Sequence, residues 1–82
     1  MKEELLSNID KIHTTTLGMK RIEKNLKIKD VIDYVKDKIK DENSNIYKKG
    51  KNWYIENNGV KITVNSKTYT IITAHKKENK KW

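Results

Sequence analysis

The sequence contains no cysteine, so neither disulfides nor thiolate metal sites can hold the fold together. Proline and phenylalanine are also absent, and the only glycines are Gly18, Gly50 and Gly59. Their spacing excludes the P-loop, the GxGxxG loop and the GxSxG nucleophile elbow. Apolar residues make up only 34% of 82 residues, so a single thin core must form by packing.

Long apolar runs are missing as well. Residues 1–13 place acids beside the first lysine and contain no apolar run of the length found in a secretory signal. No stretch approaches the roughly 18 apolar residues that span a membrane. The sequence therefore predicts no membrane partner and a cytoplasmic location.

Positive charge dominates what is present. The formal net charge is +8, and residues 1–44 contribute only +1 of it, whereas residues 45–82 contribute +7. Clustered lysines attract polyanions and steer their approach, which predicts nucleic acid as the partner, RNA more than DNA, or a protein that itself binds nucleic acid. The alternatives are that the lysines solubilise strand edges, or that the chain orders only on binding.

Apolar residues at helical spacing predict helices in the first half of the chain. The first covers residues 2–12, the second is capped by one of the threonines 14–16 and ends near residues 25–27, and the third follows Asp30. The apolar residues that set this spacing are Leu5, Ile9, Ile12, Met19, Ile22, Leu26, Val31, Val35 and Ile39.

From residue 46 the apolar period changes to two, and four β-rich runs are separated by turn signals at Gly50, residues 57–59 and residues 65–67. The last of these runs covers residues 68–76. One face of the resulting sheet should pack on the helices. The other should be wet and should present Tyr54, Lys61 and Thr63, with the lysines of residues 48–51 at its margin.

These elements predict an α+β fold, in which two to three N-terminal helices pack on one face of a C-terminal four-stranded antiparallel meander sheet. We assign residues 1–76 to a single α+β domain, with helices in residues 2–41 and the sheet in residues 46–76. Residues 77–82 form a basic C-terminal tail ending in Trp82, a large apolar group that could fold back or meet a partner.

The only two histidines are His13 and His75, and neither stands near a cluster of acids, so no metal site and no cofactor are predicted. Metal-independent RNA cleavage needs a base, an acid and cations that hold the phosphate. Histidine suits both proton roles near neutral pH. The predicted catalytic residues are therefore His75, His13 and Thr73, and the predicted nucleic-acid-binding residues are Arg21, Lys48, Lys49, Lys51, Lys61 and Tyr54.

Each of these residues also has a structural interpretation. A histidine just after a helix is commonly a cap or a surface residue, and the tyrosines are packing residues first and base-stacking candidates second. Arg21, the only arginine, offers a bidentate fork to phosphate but is a solvated helix residue by default.

The segments IHTTTLGMKRIEKNL, IYKKGKNWYI and ITVNSKTYTIITAHK together resemble a family of small uncharacterised bacterial proteins, over about Ile9 to Lys76. That family brings no established activity with it.

More loosely, helices followed by a basic meander that ends in YTIITAHK are similar to the barnase, colicin D and RelE-like group of small ribonucleases. Members of that group cleave RNA without metal. The resemblance implies roles for Thr73 and His75 on the last strand, for Lys51 on the second strand, and for His13 and Arg21 in the helical part. The chain departs from the barnase pattern because it lacks a matching general-base glutamate, and Glu56 is the only candidate inside the sheet.

Three hypotheses follow from the sequence. The first is a metal-independent ribonuclease of toxin or phage type. The second is a non-catalytic phage or mobile-element protein that uses its basic sheet face to engage nucleic acid or a nucleic-acid-binding protein complex. The third is an interaction module that binds another protein through its third helix and Trp82. Whether the chain is an enzyme, and its oligomeric state, stay open.

Overall fold

Three helices precede a four-stranded antiparallel sheet in the computed structural model, which describes residues 2–76. The predicted tail at residues 77–82 lies outside the described residues. The helices are α1 (Lys2–Ser7), α2 (Thr16–Leu26) and α3 (Val31–Lys40), with a 3₁₀ turn at Ile9–Lys11 between α1 and α2. The strands are β1 (Asn45–Lys49), β2 (Asn52–Asn57), β3 (Val60–Asn65) and β4 (Ile71–Lys76).

The sheet is a meander with the strand order β1-β2-β3-β4. The tight turns between its strands hold two glycines at positive φ, Gly50 at 64° and Gly59 at 77°. The registers pair Trp53 with Val64 and Ile55 with Ile62, so apolar residues from neighbouring strands lie on one face. The predicted α+β architecture is therefore confirmed.

Local capping fixes α2 and α3 where the sequence predicted them. The Thr15 hydroxyl accepts a hydrogen bond from the Gly18 N–H at 3.0 Å, and Lys27 ends α2 in the left-handed conformation at φ 55°. The Asp30 carboxylate accepts from the Asp33 N–H at 3.2 Å at the start of α3. Both helices bury the predicted apolar stripe.

The first predicted helix is too long, because α1 ends at Ser7 and a short 3₁₀ turn follows Asn8. The Asn8 side-chain amide donates to the Glu4 carbonyl at 2.8 Å, which occupies the backbone acceptor that the next helical turn would use. Leu5 and Ile12 are nevertheless both buried, so the apolar pair enters the core from two separate elements.

The predicted start of the last strand is also wrong, because β4 begins at Ile71 and not at residue 68. Tyr69 is buried in the left-handed conformation at φ 58°, which a strand does not allow. The backbone is held there by a distant segment: the His13 N–H donates to the Tyr69 carbonyl at 3.1 Å, and the Ile71 N–H donates to the His13 carbonyl at 2.7 Å. His13 thereby forms a parallel bridge with Thr70 at the edge of the sheet.

The core lies between the helices and the sheet face that carries Trp53, Ile55, Ile62 and Ala74, each of them essentially inaccessible to solvent. Trp53 is 0% exposed and is the largest of the fully buried side chains in the described part of the chain. Its indole N–H is buried without a hydrogen-bond acceptor among the described residues, which costs on the order of 1–3 kcal/mol.

A polar network joins α3 to β2 beside this core. The Lys38 ammonium donates to the Asn57 amide oxygen at 2.9 Å, and the Asn57 amide nitrogen donates to the Asp41 carboxylate at 3.1 Å and to the Ser44 hydroxyl at 2.9 Å. Asn57 is buried, and these bonds satisfy its side chain.

Among the helices of residues 2–76, none has both the length and the apolar character needed to cross a membrane.

Candidate nucleic-acid interface

The helices leave one face of the sheet uncovered, and we call it the open face. Alternation along the strands and the observed registers define it, because its residues are cross-strand neighbours of one another. Glu56 is the only acid among the strand residues of this face that the structure describes. The open face consists of Asn45, Tyr47, Lys49, Asn52, Tyr54, Glu56, Lys61, Thr63, Asn65, Thr73 and His75.

Two tyrosines form an aromatic platform on the open face. Tyr47 and Tyr54 are cross-strand partners, and their rings stack with centroids 5.3 Å apart and planes inclined by 21°. The Lys61 ammonium lies 5.0 Å from the centroid of the Tyr54 ring, within cation–π range. A stacked aromatic pair with a cation over one of its rings therefore lies on the part of the sheet that the helices do not cover.

Glu56 orients this platform. The Tyr47 hydroxyl donates to the Glu56 carboxylate at 2.7 Å, which holds the ring in place along the strands. This hydrogen bond is the main cause that raises the pKa of Tyr47 above its ordinary value, with desolvation as a smaller one. Tyr47 therefore stays a neutral aromatic group at physiological pH.

The wet face predicted from the sequence is confirmed for Tyr54 and Lys61, which are partly exposed, but not for Thr63, which is buried. Thr63 is the cross-strand partner of Tyr54 and of Thr73, and Lys61 is the partner of His75. Thr63, in the middle of the face, is only 7% exposed. Lys61, Thr73 and His75 therefore form one contiguous patch beside the tyrosine platform.

The two histidines do not share a site. Both ring nitrogens of His13 are engaged, Nδ1 with the Lys11 carbonyl at 2.7 Å and Nε2 with the Thr70 hydroxyl at 3.0 Å. The His75 ring contacts the Lys76 carbonyl at 3.3 Å, at the other end of β4. Thr70 and His75 are five residues apart, which is about 16 Å at a strand rise of about 3.3 Å per residue. The structure does not bring His13 and His75 onto one phosphate.

The predicted lysines occupy three different places. Lys49 and Lys61 lie on the open face, whereas Lys48 lies on the helix side, with its ammonium 5.8 Å from the centroid of the Trp53 ring. Lys51 lies in the β1–β2 turn and not on the second strand as predicted. Its carbonyl accepts from the Ser66 N–H at 2.8 Å, which brings this turn beside the β3–β4 turn and Lys67.

Arg21 and Thr73, both predicted as site residues, line one groove of about 450 Å³ between α2 and β4. Arg21 is therefore at the edge of β4 and not on the open face. Sequence reasoning missed the two exposed apolar side chains of this groove, Leu17 and Ile72. The position of Leu17 outside the Met19–Ile22–Leu26 stripe was a signal for it, whereas no local pattern marks Ile72.

Sequence reasoning also placed Tyr47 among packing residues first, since only the strand register shows that it stacks on Tyr54. No group of three or more His, Asp or Glu side chains within residues 2–76 is placed to hold a metal ion.

Fold and site together define a small basic α+β protein whose antiparallel sheet displays tyrosine and lysine on one open face. The chain belongs to the family described as "Protein of unknown function (DUF3781)", whose model matches residues 6–75. No curated protein and no solved structure matches the chain. The looser resemblance to the small ribonucleases therefore stays a prediction.

Proposed function

We propose that the open face binds single-stranded nucleic acid, with RNA preferred to DNA. The observation that carries this proposal is the stacked Tyr47–Tyr54 pair, with the Lys61 ammonium over the Tyr54 ring, on a face that the helices leave uncovered. Bases stack on aromatic side chains of an exposed sheet with about 1–3 kcal/mol per base, and lysines hold the backbone between them.

Charge supports the same proposal. Residues 45–82 carry +7 of the formal net charge. Lys49 and Lys61 flank the tyrosines, and Lys51 and Lys67 lie at the turns where two strands of the face end. A phosphate backbone that crosses the platform would meet a cation at each side of it. A cytoplasmic location, where RNA is abundant, is part of this proposal.

The preference for RNA is based on hydroxyl and amide groups of the open face. Asn52 and Thr73 are partly exposed on the open face and can donate to or accept from a ribose 2′-hydroxyl, which DNA lacks. Tyrosine stacking itself does not discriminate between the two nucleic acids.

Cleavage is the second candidate, and the neighbouring positions of Lys61, Thr73 and His75 favour it. In this reaction His75 takes the proton of a 2′-hydroxyl, whose oxygen attacks the adjacent phosphorus while the bond to the 5′-oxygen breaks. The leaving 5′-oxygen takes up a proton, and Lys61 stabilises the charge on the phosphate. His13 lies beside Thr70, at the other end of β4 from His75, and is too distant to supply that proton, so solvent or Lys61 must do so.

Binding is tested by the fluorescence anisotropy of a labelled uridine oligonucleotide, with the matching deoxy-oligonucleotide as the comparison. We expect Tyr54→Ala to weaken the complex by roughly 1–3 kcal/mol, since the aromatic pair that stacks with a base is broken. Lys61→Ala should also weaken it, whereas Lys40→Ala on the exposed surface of α3 is the matched control and should not. Equal affinity for wild type, Tyr54→Ala and Lys61→Ala would rule out the open face as the binding surface.

Cleavage is tested separately, with labelled total RNA incubated in EDTA. A ribonuclease centred on His75 should release fragments that end in 2′,3′-cyclic phosphate. His75→Ala should abolish them and His13→Ala should keep them. Intact RNA with wild-type protein would leave the second hypothesis, a non-catalytic protein that binds nucleic acid or a nucleic-acid-binding complex.

A further inference from the structure

A second surface, separate from the tyrosine platform, lies in the groove between α2 and β4. Leu17 is 73% exposed and Ile72 is 49% exposed, and both line this groove of about 450 Å³. They are the large apolar side chains that the described part of the chain leaves exposed. Two such side chains meeting in one concave site are characteristic of an interaction surface.

An irregularity in β4 directs Ile72 into the groove. The register pairs Val64 with Ile71 and Thr63 with Thr73, so Ile72 is an extra residue without a partner on β3. A β-bulge of this kind changes the direction of a side chain relative to a regular strand. Ile72 thus leaves the alternation that buries Ile71 and Ala74.

Gly18 lines the groove at the start of α2 and packs closely against the threonines that precede the helix. A Cβ at this position would lie 2.8 Å from the Thr14 hydroxyl oxygen and 3.0 Å from that of Thr15. There is therefore no room for a side chain at position 18, and Leu17 and Arg21 line the groove one helical turn apart.

The charge around the groove is positive. Arg21 lines it, and Lys20 and Lys24 follow Leu17 and Arg21 at helical spacings that place them on adjoining rows of α2. Glu23 is the only acid in the sequence of α2. A partner that fits both the apolar walls and this charge must combine an apolar side chain with carboxylates.

These features favour a protein over a nucleic acid. The exposed walls are aliphatic, and the groove offers no aromatic ring among its described lining residues on which a base could stack. Arginine is enriched at the centres of protein interfaces, and its planar fork binds a carboxylate through two hydrogen bonds.

We propose that the groove between α2 and β4 is a docking site for an acidic protein segment. A large apolar side chain of that segment packs between Leu17 and Ile72, and its carboxylates pair with Arg21 and the neighbouring lysines. The site does not depend on RNA binding by the open face, and a partner held here would leave Tyr47 and Tyr54 uncovered.

The test is a selection from a displayed library of random peptides on the immobilised full chain, after depletion on the Leu17→Gln, Ile72→Thr double variant. Glutamine keeps the helix propensity at position 17, and threonine keeps β-branching at position 72, so the variant should fold. Circular dichroism and the melting temperature check this. We expect enriched peptides to combine aspartate or glutamate with a large apolar residue.

The best enriched peptide is then synthesised and titrated. Wild type should bind it about tenfold or more tightly than Leu17→Gln, Ile72→Thr or Arg21→Ala, as for hot-spot side chains. Lys40→Ala should bind it like wild type. Amide chemical shifts should change at Leu17, Gly18 and Ile72, and the affinity of the uridine oligonucleotide should be unaffected in Leu17→Gln.

Three results would overturn the proposal. One is the absence of enriched peptides that distinguish wild type from the double variant. Another is enrichment of acidic peptides without an apolar residue, which would indicate general attraction to a basic chain. A third is displacement of the peptide by the uridine oligonucleotide with shifts at the same amides, which would assign the groove to nucleic acid.

Discussion

Tyr47 connects two properties of the open face in one residue. Its ring stacks on Tyr54, and its hydroxyl donates to Glu56, so the acid that would repel a phosphate is engaged in orienting an aromatic group. A cross-strand hydrogen bond of this kind fixes a ring without covering its outer surface. Glu56 thus helps to orient the stacked tyrosines, although its negative charge alone would repel a phosphate.

Replacing Glu56 by glutamine should lower the pKa of Tyr47 toward its ordinary value, because the hydrogen bond to the carboxylate is the main cause of the raised pKa. Because the pKa of Tyr47 is higher in the folded state than in the unfolded state, this residue contributes to the free energy of unfolding. That contribution is fully present below the unfolded pKa of about 10 and is lost as the pH rises through the folded-state pKa. The near-ultraviolet absorbance of tyrosinate follows the titration, and Tyr47→Phe identifies its transition. An unchanged titration in Glu56→Gln would contradict the assignment.

Thr15 provides a second prediction at this scale. Thr15→Ala should lower the free energy of unfolding by about 1 kcal/mol, because the Gly18 N–H loses its side-chain acceptor. Thr16→Ala, at the next and equally exposed position, is the matched control and should stay within about 0.5 kcal/mol of wild type. Urea unfolding measures both, and equal destabilisation would show that the cap contributes nothing.

At the scale of elements, the edge strand β4 depends on the segment before α2. The His13 backbone bonds to Tyr69 and Ile71, and the Thr14 hydroxyl donates to the Ile71 carbonyl at 3.2 Å. The His13 ring adds its contact with the Thr70 hydroxyl, which in turn lies 2.8 Å from the Thr68 hydroxyl. The simplest role for His13 is therefore to hold this edge.

Amide hydrogen exchange tests that role. The His13 and Ile71 amides should exchange slowly and with similar opening free energies, because they belong to the same pair of backbone hydrogen bonds. The Leu17 amide, in the unpaired first turn of α2, should exchange fast. Fast exchange at Ile71 beside protected β3 amides would mean that the bridge is open in solution.

The same element shows what the sequence could predict. The second and third helices were predicted closely because Thr15 and Asp30 cap them within one turn. The start of β4 was not, because Tyr69 is placed by a segment 56 residues earlier and no local propensity contains that information. The Ile72 bulge was invisible for the same reason, since it is a property of pairing with β3.

For the candidate site, alternation alone grouped Tyr54, Lys61 and Thr63 correctly, because a period of two needs no tertiary information. The tyrosine stack needed the β1–β2 register, and the separation of the histidines needed the position of the N-terminal segment. Residue type could nominate His13 for catalysis, but only its engaged ring nitrogens indicate a structural role.

At the scale of the whole molecule, the two proposed surfaces divide the positive charge. The open face uses lysines of the sheet, and the groove uses Arg21 with lysines of α2, so a polyanion and an acidic protein segment could be bound together. The net charge of +8 should draw both toward the protein at low salt.

Salt dependence separates specific contacts from this general attraction. In plots of log affinity for the uridine oligonucleotide against log salt, Lys49→Ala and Lys61→Ala should each reduce the slope by about 0.7, the value for one phosphate contact with a single strand. Lys40→Ala removes the same charge from α3 and should leave the slope unchanged. An equal reduction in all three variants would mean that only net charge matters.

The bridge between His13 and Thr70 also limits when the edge of the sheet at β4 can be completed during synthesis on the ribosome. The helices emerge first, yet the residues that complete the β4 edge are made 57 positions after His13. Until then Leu5 and Ile12 have no sheet to cover them, and a helical intermediate would expose them to chaperones and proteases. Final folding should therefore be a late, nearly all-or-none step, slowed by the closure of one long loop.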